Sequence, residues 1–179
     1  MKTNWKIDEL HSDVQFKVKH LVISTVTGSF TKFTAEAETD GDNFAGGKIR
    51  FSADVNSITT GNEQRDGHLK SADFFDAGNH PTVDFISTQV EKSADGYNVH
   101  GNLTMRGVTK PVTLNVEFGG AAKDPYGNFK AGFEVSGKIS RSEFGLSWSA
   151  VTEAGGVVVS DEVKIAANVQ MVKLVEAVA

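Results

Sequence analysis

Apolar and polar residues alternate through most of this chain, and a period of two leaves little choice but β-structure. In "DVQFKVKHL" (Asp13 to Leu21), Val14, Phe16 and Val18 share one face, while Gln15, Lys17 and Lys19 share the other. "GKIRFSADVNS" sets Ile49, Phe51, Ala53 and Val55 against Lys48, Arg50, Ser52 and Asp54. The same pattern orders "GYNVHGNLTMRG", "PVTLNVEF", "FKAGFEVSGKIS" and "EVKIAANVQMVKL". It places Leu103, Val116, Phe133 and Ile165 on the apolar faces. "GSFTKFTAEAET" and "TVDFISTQVEK", which carry Phe33 and Phe85, alternate less cleanly and bring the expectation to about eight strands.

Asp40-Gly41, Asp95-Gly96, Arg106-Gly107 and "DPYGN" (Asp124 to Asn128) separate these runs with hairpin-grade turns. Sequential antiparallel strands with one wet and one apolar face must close on themselves or find a second sheet. Strands of roughly 10 residues span about 33 Å, which at a tilt near 40° gives a barrel about 25 Å tall. Sandwiches generally use shorter strands, so the expected fold is all-β: a single domain, 1–179, forming an eight-stranded antiparallel up-and-down β-barrel. Small inward residues (Ala53, Gly101, Ala131, Gly137, Ala167) mix with large ones. They fit either a tapered solid core or a bore with room for a guest.

One stretch breaks the pattern. "RDGHLKSADFFD" (Arg65 to Asp76) follows Thr60-Gly61-Asn62-Glu63, which has the form of a capping box. Asp66 and Lys70 stand four apart, acid first. A short helix is expected over 61–72, weakened by Gly67 and followed by Phe74 and Phe75. Set between two strands, it caps one barrel end, as a plug or as a lid over a cavity. A second irregular stretch, "SRSEFGLSWSAVTEAGGVVVSDE", carries Arg141, Phe144 and Trp148 in a long connection, where function often resides.

Composition narrows the classes. The chain has 179 residues, no cysteine and a formal net charge of −5. Disulfides and thiolate metal sites are therefore excluded. Without a basic block in the sequence, nucleic acid and anionic membrane surfaces are poor partners. No run approaches the roughly 18 apolar residues of a membrane span, so no membrane insertion is expected. The start has no apolar segment of the signal-peptide kind, from which a cytoplasmic location is expected, or a periplasmic one if a leader was removed. His11, His20, His68, His80 and His100 form no metal-binding pattern. No nucleophile elbow or phosphate loop occurs, so neither a catalytic residue nor a cofactor is assigned.

Several segments together are distinctive: "WKIDELHSDVQFKVKHL", Gly28-Ser29-Phe30, "SITT", "RDGHLKSADFFD", "HPTVDF", "GNLTMRGVTKPV", "SRSEFGL" and "SDEVKI". In this order they resemble the YceI-like family of lipid-binding proteins across nearly the whole chain. The resemblance implies a lipocalin-like barrel whose long apolar channel holds a polyisoprenoid or similar amphiphile, such as an isoprenoid quinone. It also implies a homodimer in some members, and a bacterial setting.

The expected channel lining is Phe16, Val18, Phe33, Phe51, Phe74, Phe75, Phe85, Leu103, Val116, Phe133, Phe144, Trp148 and Ile165. A polar head group would meet Arg65, His68 or Arg141 at the mouth, although Arg65 and Asp66 equally fit a structural pair holding the helix down. Two other readings stand beside the lipid carrier. One is an enzyme using the same cavity with His68 as base. The other is a solid barrel acting through its outer surface.

Overall fold

The structure, a computed structural model, describes residues 2–21, 23–148 and 159–174. Among these residues, eleven strands and one α-helix follow in chain order: β1 (Lys2–Ile7), β2 (Asp13–His20), β3 (Ser24–Phe30), β4 (Phe33–Asp40), β5 (Asn43–Asp54), β6 (Ile58–Thr59), α1 (Glu63–Lys70), β7 (Thr82–Lys92), β8 (Gly96–Met105), β9 (Val108–Lys123), β10 (Phe129–Ser140) and β11 (Glu162–Lys173).

These strands make eight staves. β1 pairs with the C-terminal part of β11 (Trp5 with Lys173, Ile7 with Met171), and β2 pairs with its N-terminal half (Phe16 with Ile165, Asp13 with Asn168). β1 and β2 are thus two halves of one stave, broken by the 3₁₀ turn Glu9–His11, where the Asp8 side chain accepts from Leu10 N. β3 and β4 form the antiparallel second stave, and β5 and β6 the third, the latter broken by the turn Val55–Ser57. Bonds from Asp54 N to Lys32 O (2.9 Å) and Thr31 N to Ser57 O (3.2 Å) stitch two of the breaks together. Every pairing is antiparallel, and β1–β11 closes the ring. Closure leaves few strand edges exposed.

The alternation locates most strands but not their breaks. "GSFTKFTAEAET", read as one strand, is split at Thr31-Lys32, and Lys2–Ile7 is a strand the pattern did not single out. Phe118 belongs to an apolar face by period, yet it is nearly half exposed. The β9–β10 register slips between Gly132 and Phe133, so the alternation loses its phase there. At the 92–96 hairpin Gly96 is required by close approach, since a Cβ would lie 2.0 Å from Val116 O.

The end of the barrel holding the chain's first and last strand residues is closed by aromatics. Trp5, 1% exposed, donates its indole N–H to Thr39 Oγ1 at 2.8 Å. Its ring meets Phe44 (centroids 4.9 Å apart) and Phe129 (6.1 Å), and Phe44 in turn meets Phe133 (5.0 Å) and Tyr97 (6.0 Å). Rings at these tilted and edge-on separations attract beyond the area they bury.

Candidate functional site

The opposite end is capped by residues 60–77 and by the turn after β10. Helix α1 is shorter than expected, Glu63–Lys70, and its N-cap is Asn62, whose side chain accepts from Arg65 N at 3.0 Å. Thr60 has another task. Its N and Oγ1 donate to Asp66 Oδ1 (2.8 and 2.6 Å), while Arg65 donates through Nε to Thr60 Oγ1 (2.7 Å) and through Nη2 to Thr60 O (2.8 Å). Arg65 and Asp66 therefore both grip Thr60 and fasten the helix start to β6. The helix buries no residue of its own. The plug is the segment behind it, where Phe74, Phe75 and Ala77 are buried. Bonds from Phe75 N to Leu69 O (3.0 Å) and Ala77 N to Lys70 O (2.9 Å) fold it back on the helix, and Arg106 donates to Phe74 O at 2.6 Å.

Between the aromatic base and this lid the bore is open. It holds a cavity of about 430 Å³, within the range of small-molecule sites, and its surface is almost wholly apolar. Inward-facing Val135, Ile139, Ile165, Ala167 and Val169 keep accessible surface because they face this space. The small inward residues divide. Gly101 is filled by the Phe85 ring, whose Cζ lies 2.4 Å from where a Cβ would stand, and Gly137 by the Leu114 side chain at 2.8 Å. Ala53 and Ala131 are packed shut, whereas Ala167 lines the cavity. Taper and void coexist.

The cavity wall contains Phe16, Val18, Phe51, Phe74, Phe75, Phe85, Leu103, Val116, Phe133, Trp148 and Ile165. Two expected lining residues are elsewhere. Phe33 lies opposite Ala53 and stacks on Phe51 (6.4 Å, 25°), so Phe51 presents its ring to the bore and Phe33 is packed behind it. Phe144, 1% exposed, is locked into the core as the anchor of the 3₁₀ turn Arg141–Phe144, which Gly145 ends at φ 78°. An aromatic in a long connection gives no sequence clue to which way it points. His20 and Lys19 border the cavity too and were not anticipated; the clue for His20 was its inward parity with Phe16 and Val18, whereas Lys19 has the outward parity and borders the space from the strand's outer face.

The polar lining gathers at the lid end. Arg65, His68, Arg141, Lys19 and His20 contribute, with Gln15 and Thr60, and among the described residues no carboxylate lines the space. His68 Nε2 is 2.8 Å from Asp73 Oδ2, and its ring stands edge-on to Phe74 (5.0 Å) and Trp148 (4.8 Å). The imidazole is thereby fixed in orientation, with one nitrogen already engaged.

Arg141 is 6% exposed. Its guanidinium donates to the carbonyls of Ser160 (2.9 Å), Leu146 (2.6 Å), Trp148 (2.7 Å) and Val159 (3.2 Å), and lies 5.9 Å from the Phe74 ring centre. Burial lowers its pKa, opposed by the charge of Asp161, but a guanidinium keeps its proton regardless. Asp161 itself accepts from Ser140 Oγ and Ser142 N, which hold its carboxyl below the usual range. Arg141 is thus a clamp joining 146–148 to 159–160, and it sets a buried positive charge in the lid.

The mouth has a structural cause. β3 pairs with β2 along Ser24–Phe30, but on its other edge β6 reaches only Ser29 and Phe30. Residues 24–28 therefore border a gap between β3 and the lid, and Val26 lines the cavity there.

The YceI-like domain model matches residues 5–171. The chain belongs to the YceI-like family. Curated relatives of this YceI-like barrel include a UPF0312 protein of Yersinia enterocolitica, 39% identical over 171 residues (94% of this chain, 86% of that one). Another is a UPF0312 protein of Pectobacterium atrosepticum, 39% identical over 137 residues (76% and 71%). Among solved structures, the Campylobacter jejuni YceI protein aligns with TM-score 0.74 and 36% identity, covering 94% of this chain and 96% of that one. BcnA of Burkholderia cenocepacia aligns with TM-score 0.78 and 27% identity (92% and 98%). A polyisoprenoid binding domain from Saccharophagus degradans shares the fold at TM-score 0.65 and 16% identity (95% and 98%).

Proposed function

We propose that this YceI-like barrel binds one long-chain amphiphile of the polyisoprenoid or isoprenoid-quinone type and carries or sequesters it. The tail would occupy the bore and the head would sit at the basic rim. One observation carries this reading: a cavity running from the aromatic base to the lid, almost wholly apolar and bordered at the lid end by Arg65, His68 and His20, with no carboxylate lining it among the described residues. Each CH₂ taken from water is worth about 0.8 kcal/mol, so about ten of them gain on the order of 8 kcal/mol before ordering costs. The polar end of such a molecule would accept hydrogen bonds from Arg65 or His68, while Arg141, spent on backbone carbonyls, supplies mainly charge. The polyisoprenoid binding domain that shares the fold lends support to the ligand class.

Organic extraction of the purified protein followed by mass spectrometry tests the proposal. A near-stoichiometric long-chain lipid is expected. An empty extract, together with no uptake of added isoprenoid, would refute it. A lipid recovered chemically altered after incubation would favour an enzyme working in the same cavity.

A further inference from the structure

The outer face of the barrel beside the mouth carries a grouping the linear sequence conceals. Lys138 on β10 stands opposite Lys164 on β11, and Lys164 stands opposite Lys17 on β2. Three lysines therefore form one cross-strand row, their side chains turned to solvent. Lys19 lies two residues along β2 on the same outward face, its ammonium 2.9 Å from Thr25 Oγ1. Among the described residues only Lys138 of this group has a carboxylate partner, Glu162 at 3.7 Å. Asp161, nearby in sequence, is taken by Ser140 and Ser142. Like charges directly opposite one another weaken a sheet. Such a row, in a chain of net charge −5, is at odds with stability alone.

The hairpin joining β2 to β3 continues this face. Ile23 at its tip is 84% exposed and Leu21 38%. Leu21 is held at φ 55°, a left-handed conformation that glycine or asparagine adopts at lower cost. A hairpin that had only to turn would use those residues. This one presents two large apolar side chains to water next to a basic face. It is also one lip of the cavity, since Val18 and His20 on β2 and Val26 on β3 line that space.

We propose that the face of Lys17, Lys19, Lys138 and Lys164, together with the Leu21/Ile23 tip, is a docking surface for an anionic phospholipid bilayer, on which the barrel mouth opens. Charge complementarity selects the occupant. Lysines near a negatively charged membrane surface are attracted individually and additively, and apolar side chains at a protruding tip enter the headgroup boundary. A soluble protein partner would not need the apolar tip and the cavity mouth to coincide. A bilayer does, because an amphiphile can then pass between membrane and bore without crossing water. The inference rests on the lipid-carrier reading for its purpose but not for its test.

Co-flotation of the intact protein with vesicles of phosphatidylcholine alone, or mixed with phosphatidylglycerol, decides it. Binding to the mixed vesicles is expected, weakening at high salt. Lys17→Gln with Lys164→Gln should lower that binding about 20- to 30-fold without loss of folding stability, since it relieves the like-charge row. Ile23→Ser should lower it several-fold at unchanged stability. Equal binding to both vesicle types, indifference to the lysine substitutions, or a dimer formed through the tip and lost in Ile23→Ser would overturn the proposal. Lipid extraction from the same preparations keeps the two readings apart: a barrel that carries lipid but ignores vesicles refutes the docking surface alone, and one that docks empty refutes the carrier alone.

Discussion

Filling the bore from its own wall distinguishes a hollow barrel from a solid one by the sign of a stability change. Ala167 lies on β11 opposite Val14 on β2 and Val135 on β10, and all three line the cavity. Ala167→Phe adds a ring at that point. In a packed core, overfilling costs about 1–3 kcal/mol. In an open apolar cavity the ring meets space, and burying it is worth about 1.5–3 kcal/mol, less up to about 1 kcal/mol of lost rotamer freedom. The delipidated variant is therefore expected to be about 0.5–3 kcal/mol more stable than delipidated wild type. Added ligand should act in the opposite sense. At a hundred times its Kd a ligand stabilises wild type by about 2.7 kcal/mol, and the variant, with a ring in place of the tail, should lose most of that gain. Urea unfolding with and without an added isoprenoid measures both, and tryptophan fluorescence reports base and lid together, because the chain's two tryptophans are Trp5 and Trp148. A delipidated variant destabilised by about 1 kcal/mol or more, or one that keeps the full ligand-dependent gain, would refute the open bore.

Other perturbations address separate parts. Arg141→Met removes a buried guanidinium bonded to four carbonyls and should destabilise by roughly 3–5 kcal/mol; an unchanged urea midpoint would mean that the lid does not depend on the clamp. Asp8 is held below the usual carboxylate range by the bond from Lys130 at 2.7 Å and, less strongly, by His11. A carboxyl lowered in the folded state adds stability that is present above its unfolded value near 3.8 and is lost as pH falls through its folded value. Asp8→Asn should thus flatten the acid limb of the stability–pH curve below about pH 4, and parallel curves for variant and wild type would remove Asp8 from it. His68→Ala should change preference among ligands that share one tail while leaving tail binding intact, read by competition between an isoprenoid alcohol and its quinone. Identical preferences would remove His68 from the head-group site.

Most of the architecture was legible because the period of two and the turn pairs are local signals. The breaks were not, since Thr31-Lys32 and Val55–Ser57 are fixed by bonds between distant segments (Thr31 to Ser57, Asp54 to Lys32) and leave little trace in alternation. The bore was only half legible. Inward-facing residues follow from the strand period, but whether Gly101, Gly137 or Ala167 leaves a void depends on which cross-strand neighbour leans over it. Phe33 and Phe144 show the same limit: their burial was readable, but what they are buried against was not. The lysine row was invisible, because Lys17 and Lys164 become neighbours only once β2 and β11 are in register.

The breaks also explain how one sheet can be both firmly closed and open. At the base, β1, β4 and β5 pair one after another with a single register shift, between Glu38 and Asp40, and β1 seals the ring against β11. There the bore is filled by Trp5, Phe44, Phe129 and Phe133, so cohesion needs no ligand. Toward the lid each of the first three staves resumes after its break as β2, β3 or β6, and β6 is too short to cover the edge of β3. The missing pairing is made up by a lid held through side chains: Arg65 and Asp66 on Thr60, Arg106 on Phe74, and Arg141 on the turn beyond β10. Strand pairing is cooperative and fixed in register, whereas a lid held by a few side-chain bonds opens locally at smaller cost. Access is thereby placed at the end where the sheet is interrupted, and the stability of the fold at the end where it is continuous.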